Sequence, residues 1–303
     1  MNTDTKHTKF LTAYKIIIIA LSVLSAGLCA VCTALFYDYS PGYFRESVLC
    51  SVFSIAIALA SLFALSALAT SKKTFKIKSP DSSSSPDFLF LIPACGFLFY
   101  AISIFSRLFD TSGSYIFLVH AIFAIISFAY FLVRNLDTKI EASLKGILGL
   151  ISVVCPMLIA IRSYFDYHAV MNSPEKTYLQ ITMVAFALYI INEARFILGD
   201  PYHRLYVALS GIILPISSCY TVNKIFIIAN SKNKYNSEDI ALCVLMASIA
   251  IYTLFRIIYV TNNEDIKQDT DGEVNVTESI SAKIADAGDD QSSSENTCFD
   301  TNT

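Results

Sequence analysis

The chain has 303 residues, of which 54% are hydrophobic and 16% are charged, and its mean hydropathy is +0.55. A water-soluble core of this apolarity is implausible, so the composition excludes an ordinary soluble domain and predicts a membrane protein. The net charge of −3 is unevenly distributed, because residues 262–303 carry −9 and residues 1–261 carry +6.

The first predicted element is a membrane-spanning helix over residues 16–36, preceded by Lys6, Lys9 and Lys15. Lysines before an apolar run are also typical of a secretory signal peptide. This run continues for about 21 residues, however, whereas the apolar core of a signal peptide has roughly 7 to 15 residues. We therefore interpret it as a span that is retained in the mature protein.

Seven further apolar runs follow, joined by polar loops. A helix needs roughly 20 mostly apolar residues to cross about 30 Å of hydrocarbon, and the runs have about that length. The eight predicted spans cover residues 16–36, 48–69, 88–106, 115–133, 145–161, 178–198, 205–223 and 240–260. The predicted fold class is therefore all-α, a polytopic transmembrane bundle of eight spans.

Three regions follow from this division of the chain. Residues 1–15 are predicted to be a cytoplasmic N-terminus, and residues 16–261 to be the eight-helix membrane domain. Residues 262–303 contain eleven carboxylates and two lysines, and we expect them to be a disordered acidic cytoplasmic tail.

Local signals at helix ends refine some boundaries. Pro174 followed by Glu175 is typical of a helix start, since proline fits the first helical position and a carboxylate complements the helix dipole. Gly199 predicts the end of the same helix. Thr138 and Glu141 have the T-x-x-E spacing of a capping box, which places a further helix start at Thr138.

The positions of lysine and arginine predict the orientation, because positively charged loop ends are retained in the cytoplasm. With the N-terminus inside, the inner segments hold fifteen of these residues and the outer segments hold seven. Both termini are therefore predicted to be cytoplasmic, in a cell membrane and specifically a bacterial cytoplasmic membrane. The outer stretch with Lys224, Lys232 and Lys234 is an exception, since it would suit an inner loop equally well.

The loop at residues 71–87 is basic at its beginning. Its lysines lie beside a predicted span, where each attracts anionic lipid by about 1 kcal/mol. The lysines are Lys72, Lys73, Lys76 and Lys78. The lipid bilayer, with anionic lipid at this loop, is therefore the expected partner, while a purely topogenic role is the simpler alternative. No nucleic-acid partner is expected, and protein partners cannot be read from the sequence.

Three prolines, Pro93, Pro156 and Pro215, fall inside predicted spans and are expected to kink them. Each proline withholds one backbone donor, which frees the carbonyl four residues earlier, and in lipid that carbonyl must find a hydroxyl, a water or a neighbouring helix. The freed carbonyls are those of Leu89, Ser152 and Gly211. In a transporter, such a helix would line a midplane cavity, and a structural kink is the alternative.

Glu193 is the most suggestive polar residue, because an ionisable group within a span is costly and marks a functional or structural centre. Arg195 is an unfavourable partner, since two helical residues apart corresponds to about 200° of rotation. Arg256, at matching depth in the last span, is the preferred partner. Such a pair would act as a clamp between helices or take part in proton or solute passage, and Arg256 could instead extend to the headgroups.

His120 lies within the predicted span 115–133, near its outer end. Its polar neighbours are expected to be Arg107 and Asp110, and with Arg162 these residues are candidates for an outer vestibule. A histidine in this position either titrates or binds a ligand, or simply packs with a hydrogen bond.

Catalytic signatures are missing from the sequence. It contains neither G-x-S-x-G nor H-E-x-x-H nor a phosphate-binding G-x-x-x-x-G-K-[ST]. We therefore name no catalytic residue, metal site or cofactor, and lean against an enzyme. The leading hypothesis is a non-enzymatic sensor, scaffold or regulatory protein. The alternative is a small-solute or ion permease that uses the region of Glu193 and Pro215, and an intramembrane enzyme is third.

Overall fold

The computed structural model describes residues 3–38, 43–44, 87–110, 115–135, 140–165, 174–199, 202–230 and 236–260. Almost all of these residues are helical. The helices are α1 (Thr3–Phe36), α2 (Leu91–Asp110), α3 (Tyr115–Asn135), α4 (Ala142–Ser152), α5 (Val154–Phe165), α6 (Pro174–Leu198), α7 (His203–Asn230) and α8 (Ser237–Val260). A four-residue 3-10 helix, Asp87–Phe90, leads directly into α2. Two short antiparallel strands, β1 (Tyr37–Asp38) and β2 (Tyr43–Phe44), follow α1.

Seven helical segments among the described residues are long and apolar enough to cross a membrane. They are Thr12–Phe36, Phe88–Phe109, Tyr115–Arg134, Ala142–Phe165, Pro174–Leu198, His203–Asn230 and Ser237–Tyr259. They match seven of the eight predicted spans, so the prediction of a multi-pass helical membrane protein is confirmed. The remaining predicted span, 48–69, lies outside the described residues. The basic loop with Lys72, Lys73, Lys76 and Lys78 and the tail 262–303 also lie outside them.

Pro156 lies beside a break in the fourth described span. The helix α4 ends at Ser152, Val153 adopts a turn, and α5 continues from Val154. Because Pro156 lacks an N–H, the carbonyl of Ser152 loses its helical donor. The hydroxyl of Ser127, on α3, lies 3.0 Å from that carbonyl and also 3.0 Å from the carbonyl of Phe123 in its own helix, so the two carbonyls share this donor. A neighbouring helix therefore supplies the hydrogen bond, which is one of the solutions expected from the sequence.

Pro93 lies close to the start of its α-helix rather than in the interior. It is the third residue of α2, and the preceding turn is the 3-10 helix. In the first turn of an α-helix the N–H groups have no intrahelical acceptor, so the missing donor costs nothing there. The kink expected at Pro93 stays a prediction, and the change from a 3-10 helix to an α-helix lies directly before this residue. Pro215, in contrast, lies inside α7, which runs without a break from His203 to Asn230.

The predicted helix boundaries have mixed outcomes. The start at Pro174 is confirmed, and Gly199 follows the last residue of α6 with a φ of +88°, the left-handed conformation that glycine adopts readily. The capping box is wrong, because α4 begins only at Ala142 and Glu141 occupies the N-cap without a side-chain capping bond. Thr138 lies outside the described residues.

The relative directions of the helices follow from contacts near their ends. Arg107, near the end of α2, pairs with Glu238 at the start of α8, so these helices are antiparallel. Lys224, near the end of α7, pairs with Asp239 of α8 in the same way. The hydroxyl of Thr33, near the end of α1, donates to Asn223 of α7 at 2.7 Å. The helices α1, α2 and α7 therefore run in the same direction.

The centre of the bundle is aromatic. The rings of Phe97, Phe131 and Phe186 come from α2, α3 and α6, and their centroids lie 5.8 to 6.3 Å apart in stacked arrangements. Tyr252 of α8 meets the Phe131 ring edge-on at 5.7 Å. All four side chains are fully buried. Contacts of this kind add to the burial energy and close the space between the helices at this level.

Candidate functional site

The carboxylate of Glu193 is the centre of a buried polar cluster near the end of α6. It is fully inaccessible, and its Oε1 accepts a hydrogen bond from Tyr252 at 2.6 Å and another from Tyr206 at 3.0 Å. The Oε2 atom accepts from Arg134 at 2.8 Å. The donors belong to α8, α7 and α3, so this one carboxylate joins four helices.

Two arginines approach Glu193 from different helices. Arg134 of α3 forms the 2.8 Å ion pair, and the Nε of Arg256 on α8 lies 3.3 Å from Oε1. Phe90, in the turn before α2, lies beneath both guanidinium groups, 4.4 Å from that of Arg134 and 4.5 Å from that of Arg256. Aromatic faces attract cations, so Phe90 helps to hold the two like charges close together. The structure thus brings Glu193 and Arg256 together, as their depths suggested.

Tyrosines extend the cluster, which we call the Glu193 cluster and define as Glu193, Arg134, Arg256, Tyr206, Tyr252 and Phe90. The hydroxyl of Tyr189 donates to that of Tyr206, and the two rings stack with centroids 4.4 Å apart. The Nε of Arg256 donates to Tyr252 at 3.2 Å. Chains of this kind orient each hydroxyl proton, so the carboxylate is held by donors that have little freedom to rotate.

Arg195 lies outside the Glu193 cluster. Its guanidinium group stacks over the ring of Tyr202, 3.8 Å from the centroid. The two-residue spacing directs it away from Glu193, as the helical geometry predicts. Asn192, next to Glu193, instead exchanges two hydrogen bonds with the backbone of Tyr202, at 2.9 and 3.0 Å. These contacts fix the turn between α6 and α7, which places Tyr206 beside the carboxylate.

A second polar region lies at the other end of the helices. It is a cavity of about 670 Å³ lined by side chains of α2, α3, α5, α6, α7 and α8. Its charged lining comprises four basic and three acidic residues, namely Arg107, Arg162, Lys176, Lys224, Glu175, Glu238 and Asp239. Glu175 and Glu193 are eighteen residues apart on α6, which corresponds to about 27 Å along the helix. The cavity and the Glu193 cluster are therefore separate sites.

Two arginines meet on Glu238 at one side of the cavity. Arg162 pairs with both carboxylate oxygens, with Nη1 2.7 Å from Oε1 and Nη2 2.8 Å from Oε2. Arg107 pairs with Oε2 and also donates to Asn236 at 3.0 Å. The guanidinium group of Arg162 lies over the ring of Phe117, 4.7 Å from its centroid. The vestibule candidates Arg107 and Arg162 are thus neighbours, whereas the side chain of Asp110 lies outside the described residues.

Lys224 organises the other side of the cavity. Its ammonium group lies 3.0 Å from Glu175 and 3.3 Å from Asp239, which belong to α6 and α8. Asn223 donates to Glu175 at 3.4 Å and accepts from Thr33 of α1. Glu238 and Asp239 are adjacent in the first turn of α8, so successive residues of one helix serve the two sides of the cavity.

His120 is buried and does not line the cavity. Its Nδ1 lies 2.8 Å from the carbonyl of Ile116, one turn earlier, and its Nε2 has no hydrogen-bond partner among the described residues. Ile116 and Phe117 line the cavity, whereas the histidine ring lies between helices. The expected contacts of His120 with Arg107 and Asp110 are not among its described interactions.

The described residues offer no metal site of ordinary composition. No group of three or more histidine, cysteine, aspartate or glutamate side chains within them is placed to hold an ion. In the Glu193 cluster, the hydrogen-bond donors surround the carboxylate and occupy both of its oxygens. Such an arrangement stabilises the charged carboxylate and joins helices.

Comparison with known proteins finds no matching family model, no matching curated protein and no matching solved structure.

Proposed function

We propose that this multi-pass membrane protein binds a small polar solute in the cavity between Arg162 and Glu175, and that it acts as a non-enzymatic sensor or regulator. The cavity itself carries the proposal. Its volume of about 670 Å³ falls within the range of small-molecule sites, roughly 300 to 1,000 Å³. Its walls combine charged side chains with apolar and aromatic ones, which is the usual composition of a site that orients a ligand.

The proposal includes eight spans rather than seven. Two consecutive described spans, α1 and α2, run in the same direction, because Thr33 and Arg107 both lie at the cavity end of the bundle. A chain that crosses twice in the same direction must return between the two crossings. The apolar run at residues 48–69 has the length for that return.

We also propose that both termini face the cytoplasm and that the cavity faces outward, in a bacterial cytoplasmic membrane. The distribution of lysine and arginine supports this orientation, with fifteen inside and seven outside. An outward cavity would be open to solutes from the surroundings, as a sensor requires. Anionic lipid is the proposed partner of Lys72, Lys73, Lys76 and Lys78 on the inner face.

The binding proposal is tested by thermal unfolding of the purified protein in detergent. The test panel contains amino acids, organic acids, sugars and polyamines at millimolar concentrations. A solute that binds only the folded protein raises the unfolding temperature, by mass action. We expect at least one class to do so and expect Arg162→Gln to remove the effect, with Arg195→Gln as a matched control outside the cavity. A panel that leaves the unfolding temperature unchanged contradicts the proposal.

A permease is the second candidate, and α7 favours it. The helix contributes Tyr206 to the Glu193 cluster and Lys224 to the cavity, and Pro215 lies between them. Near Pro215, the hydroxyls of Ser217 and Ser218 donate to carbonyls of their own helix, at 2.6 and 2.7 Å. A helix with a proline and such hydroxyl bonds can bend.

Flux measurements in proteoliposomes distinguish the two candidates. A sensor binds the stabilising solute without moving it, so its uptake should equal that of protein-free liposomes. Uptake above that level would establish the permease instead.

A further inference from the structure

Six of the seven charged side chains that line the cavity are divided between two walls, and the seventh, Lys176, follows Glu175 on α6. Arg107 and Arg162, from α2 and α5, form a cationic wall around Glu238. Glu175 and Asp239, from α6 and α8, form a carboxylate wall around Lys224. We call these the arginine wall and the carboxylate wall. A ligand between them meets guanidinium donors at one end and carboxylate acceptors at the other.

The rest of the cavity is apolar and aromatic. Its lining includes Tyr100, Ile159, Leu179, Tyr220 and Leu242. Tyr100 and Tyr220 are buried almost completely, so their rings form the floor rather than the rim. A surface of this kind favours an aliphatic or aromatic group on the ligand, in addition to its charges.

We propose that the cavity binds a zwitterion, a small molecule that carries a primary ammonium group and a carboxylate or phosphate. This inference rests on the proposed binding function and specifies its ligand class. The anionic group would lie on the arginine wall, where the guanidinium groups of Arg107 and Arg162 offer paired donors. The ammonium group would lie on the carboxylate wall, where Glu175 and Asp239 already pair with the ammonium group of Lys224.

The two walls together select for a ligand that carries both charges. A simple anion has a charged partner only on the arginine wall, and a simple cation has one only on the carboxylate wall. A ligand with a single charge therefore loses the charge-assisted contacts of the other wall. Only a molecule with both charges satisfies both walls.

The zwitterion could be free in solution or be the headgroup of a lipid, since phenylalanine and phosphatidylethanolamine share this chemistry. The experiment measures binding of the purified full chain in detergent by calorimetric titration. The free probes are phenylalanine, its N-acetyl derivative, which lacks the ammonium charge, and its methyl ester, which lacks the carboxylate. The lipid probe is the same protein in nanodiscs of phosphatidylethanolamine, compared with phosphatidylglycerol, and thermal stability is measured.

We expect phenylalanine to bind at least about tenfold more tightly than either derivative, because each derivative loses a charge-assisted contact. If a lipid is the source, stability should be higher in phosphatidylethanolamine than in phosphatidylglycerol while free phenylalanine does not bind. Equal binding of N-acetylphenylalanine, or of the methyl ester, would overturn the inference in favour of a simple anion or cation site. Absence of both phenylalanine binding and the lipid preference would overturn it too.

Two variants connect the ligand charges to the walls. Arg162→Gln should weaken the binding of phenylalanine and leave the binding of its methyl ester unchanged. Asp239→Asn should also weaken the binding of phenylalanine, but it should leave the binding of N-acetylphenylalanine unchanged. If lipid is the source, each variant should instead remove the preference for phosphatidylethanolamine. Arg195→Gln and Glu141→Gln change the same charges away from the cavity and should leave binding unchanged. A variant whose effect does not depend on the ligand charge would contradict the assignment.

Failure of the zwitterion assignment can be distinguished from failure of the proposed binding function. If other solutes stabilise the protein and zwitterions do not, the ligand class is wrong while the binding function stands. If no solute or headgroup of any class binds, the proposed function itself fails.

Discussion

The carboxylate of Glu193 is an ionisable group in the interior of the bundle, where burial of its charge is costly. It is fully buried, and so is Arg256, while Arg134 is almost so. In a buried ion pair, the desolvation cost is recovered only when partners and hydrogen bonds are all present. For the carboxylate, hydrogen bonds from Arg134, Tyr206 and Tyr252 to its two oxygens fulfil that condition. The stability of the fold should therefore depend strongly on this one side chain.

Glu193→Gln removes the negative charge but keeps the side-chain shape. The guanidinium groups of Arg134 and Arg256 then lose their common counter-ion, and we expect a loss of about 3 to 5 kcal/mol of unfolding free energy. Thermal unfolding followed by circular dichroism in detergent measures the change. Glu141→Gln, an exposed carboxylate at the N-cap of α4, is the control and should change stability little. Equal unfolding temperatures for the two variants would contradict the structural role of Glu193.

The site could be predicted only in part, and Arg134 shows why. Glu193 and Arg256 could be paired from sequence by counting their depths below the same membrane face. Arg134 lies at the end of α3, where a positive-inside count treats it as a loop charge. Its side chain turns inward through Tyr130, four residues earlier, whose hydroxyl accepts from it at 3.0 Å. A Tyr-x-x-x-Arg spacing at a span end is the signal that sequence reasoning can use.

At the scale of secondary structure, the break between α4 and α5 is stabilised by a hydroxyl of a neighbouring helix. Ser127→Ala removes the donor to the Ser152 carbonyl and leaves that carbonyl buried without its bond. We expect a loss of about 1 to 3 kcal/mol, the cost of an unsatisfied buried acceptor. Ser103→Ala is a matched control, since Ser103 is also buried but its hydroxyl has no hydrogen-bond partner in the described residues. The thermal unfolding assay should rank Ser127→Ala clearly below Ser103→Ala, and equal losses would contradict this account.

Gly149 allows α4 to pack closely against neighbouring helices. A Cβ added at Gly149 of α4 would lie 2.9 Å from the Tyr130 ring and 3.1 Å from the Ala194 Cβ. Tyr130 is buried and bonded to Arg134, so it cannot move aside easily. Gly149→Ala should therefore destabilise the protein by about 1 to 3 kcal/mol through overpacking.

Gly27→Ala is the control for that substitution. No described atom lies within 4 Å of a Cβ at Gly27 of α1, so the added methyl group should be neutral or stabilise the helix by up to about 1 kcal/mol. Comparison of the two variants by thermal unfolding separates crowding from helix propensity. A stabilised Gly149→Ala would show that α4 can move away from α6.

The spans themselves were predictable because length and apolarity in lipid leave few alternatives to a helix. Details at their ends were not. Proline at residue 93 has the same chemistry as proline at residue 156, yet the first lies in a helix start and the second beside a break. The difference lies in the residues before each proline, which form a 3-10 helix before Pro93 and the end of α4 before Pro156. The cavity was predictable only as a vestibule with Arg107 and Arg162, since Glu238 and Lys224 join it through packing.

For the whole molecule, two polar regions lie near opposite ends of one aromatic core. The rings of Phe97, Phe131 and Phe186 lie between the cavity and the Glu193 cluster, and all three are fully buried. Their stacked rings separate the two polar regions in the described part of the chain. The Glu193 cluster thus joins four helices at one end of the bundle, while the cavity, where we propose that a ligand binds, lies at the other end.

The proposed orientation predicts which residues can be labelled from each side of the membrane. In a cysteine-free background, cysteines are introduced singly at Thr12, Tyr115 and Glu141, all exposed. Tyr115 lies at the start of α3, at the cavity end, whereas Thr12 and Glu141 lie at the end with the Glu193 cluster. A membrane-impermeant maleimide added to intact cells should therefore modify Tyr115→Cys and spare the other two, and inverted vesicles should give the reverse. Labelling of both Thr12→Cys and Tyr115→Cys in intact cells would refute the parallel course of α1 and α2 and with it the eight-span topology. Labelling of Thr12→Cys and Glu141→Cys without Tyr115→Cys in intact cells would show that the orientation is inverted and leave the topology unchanged.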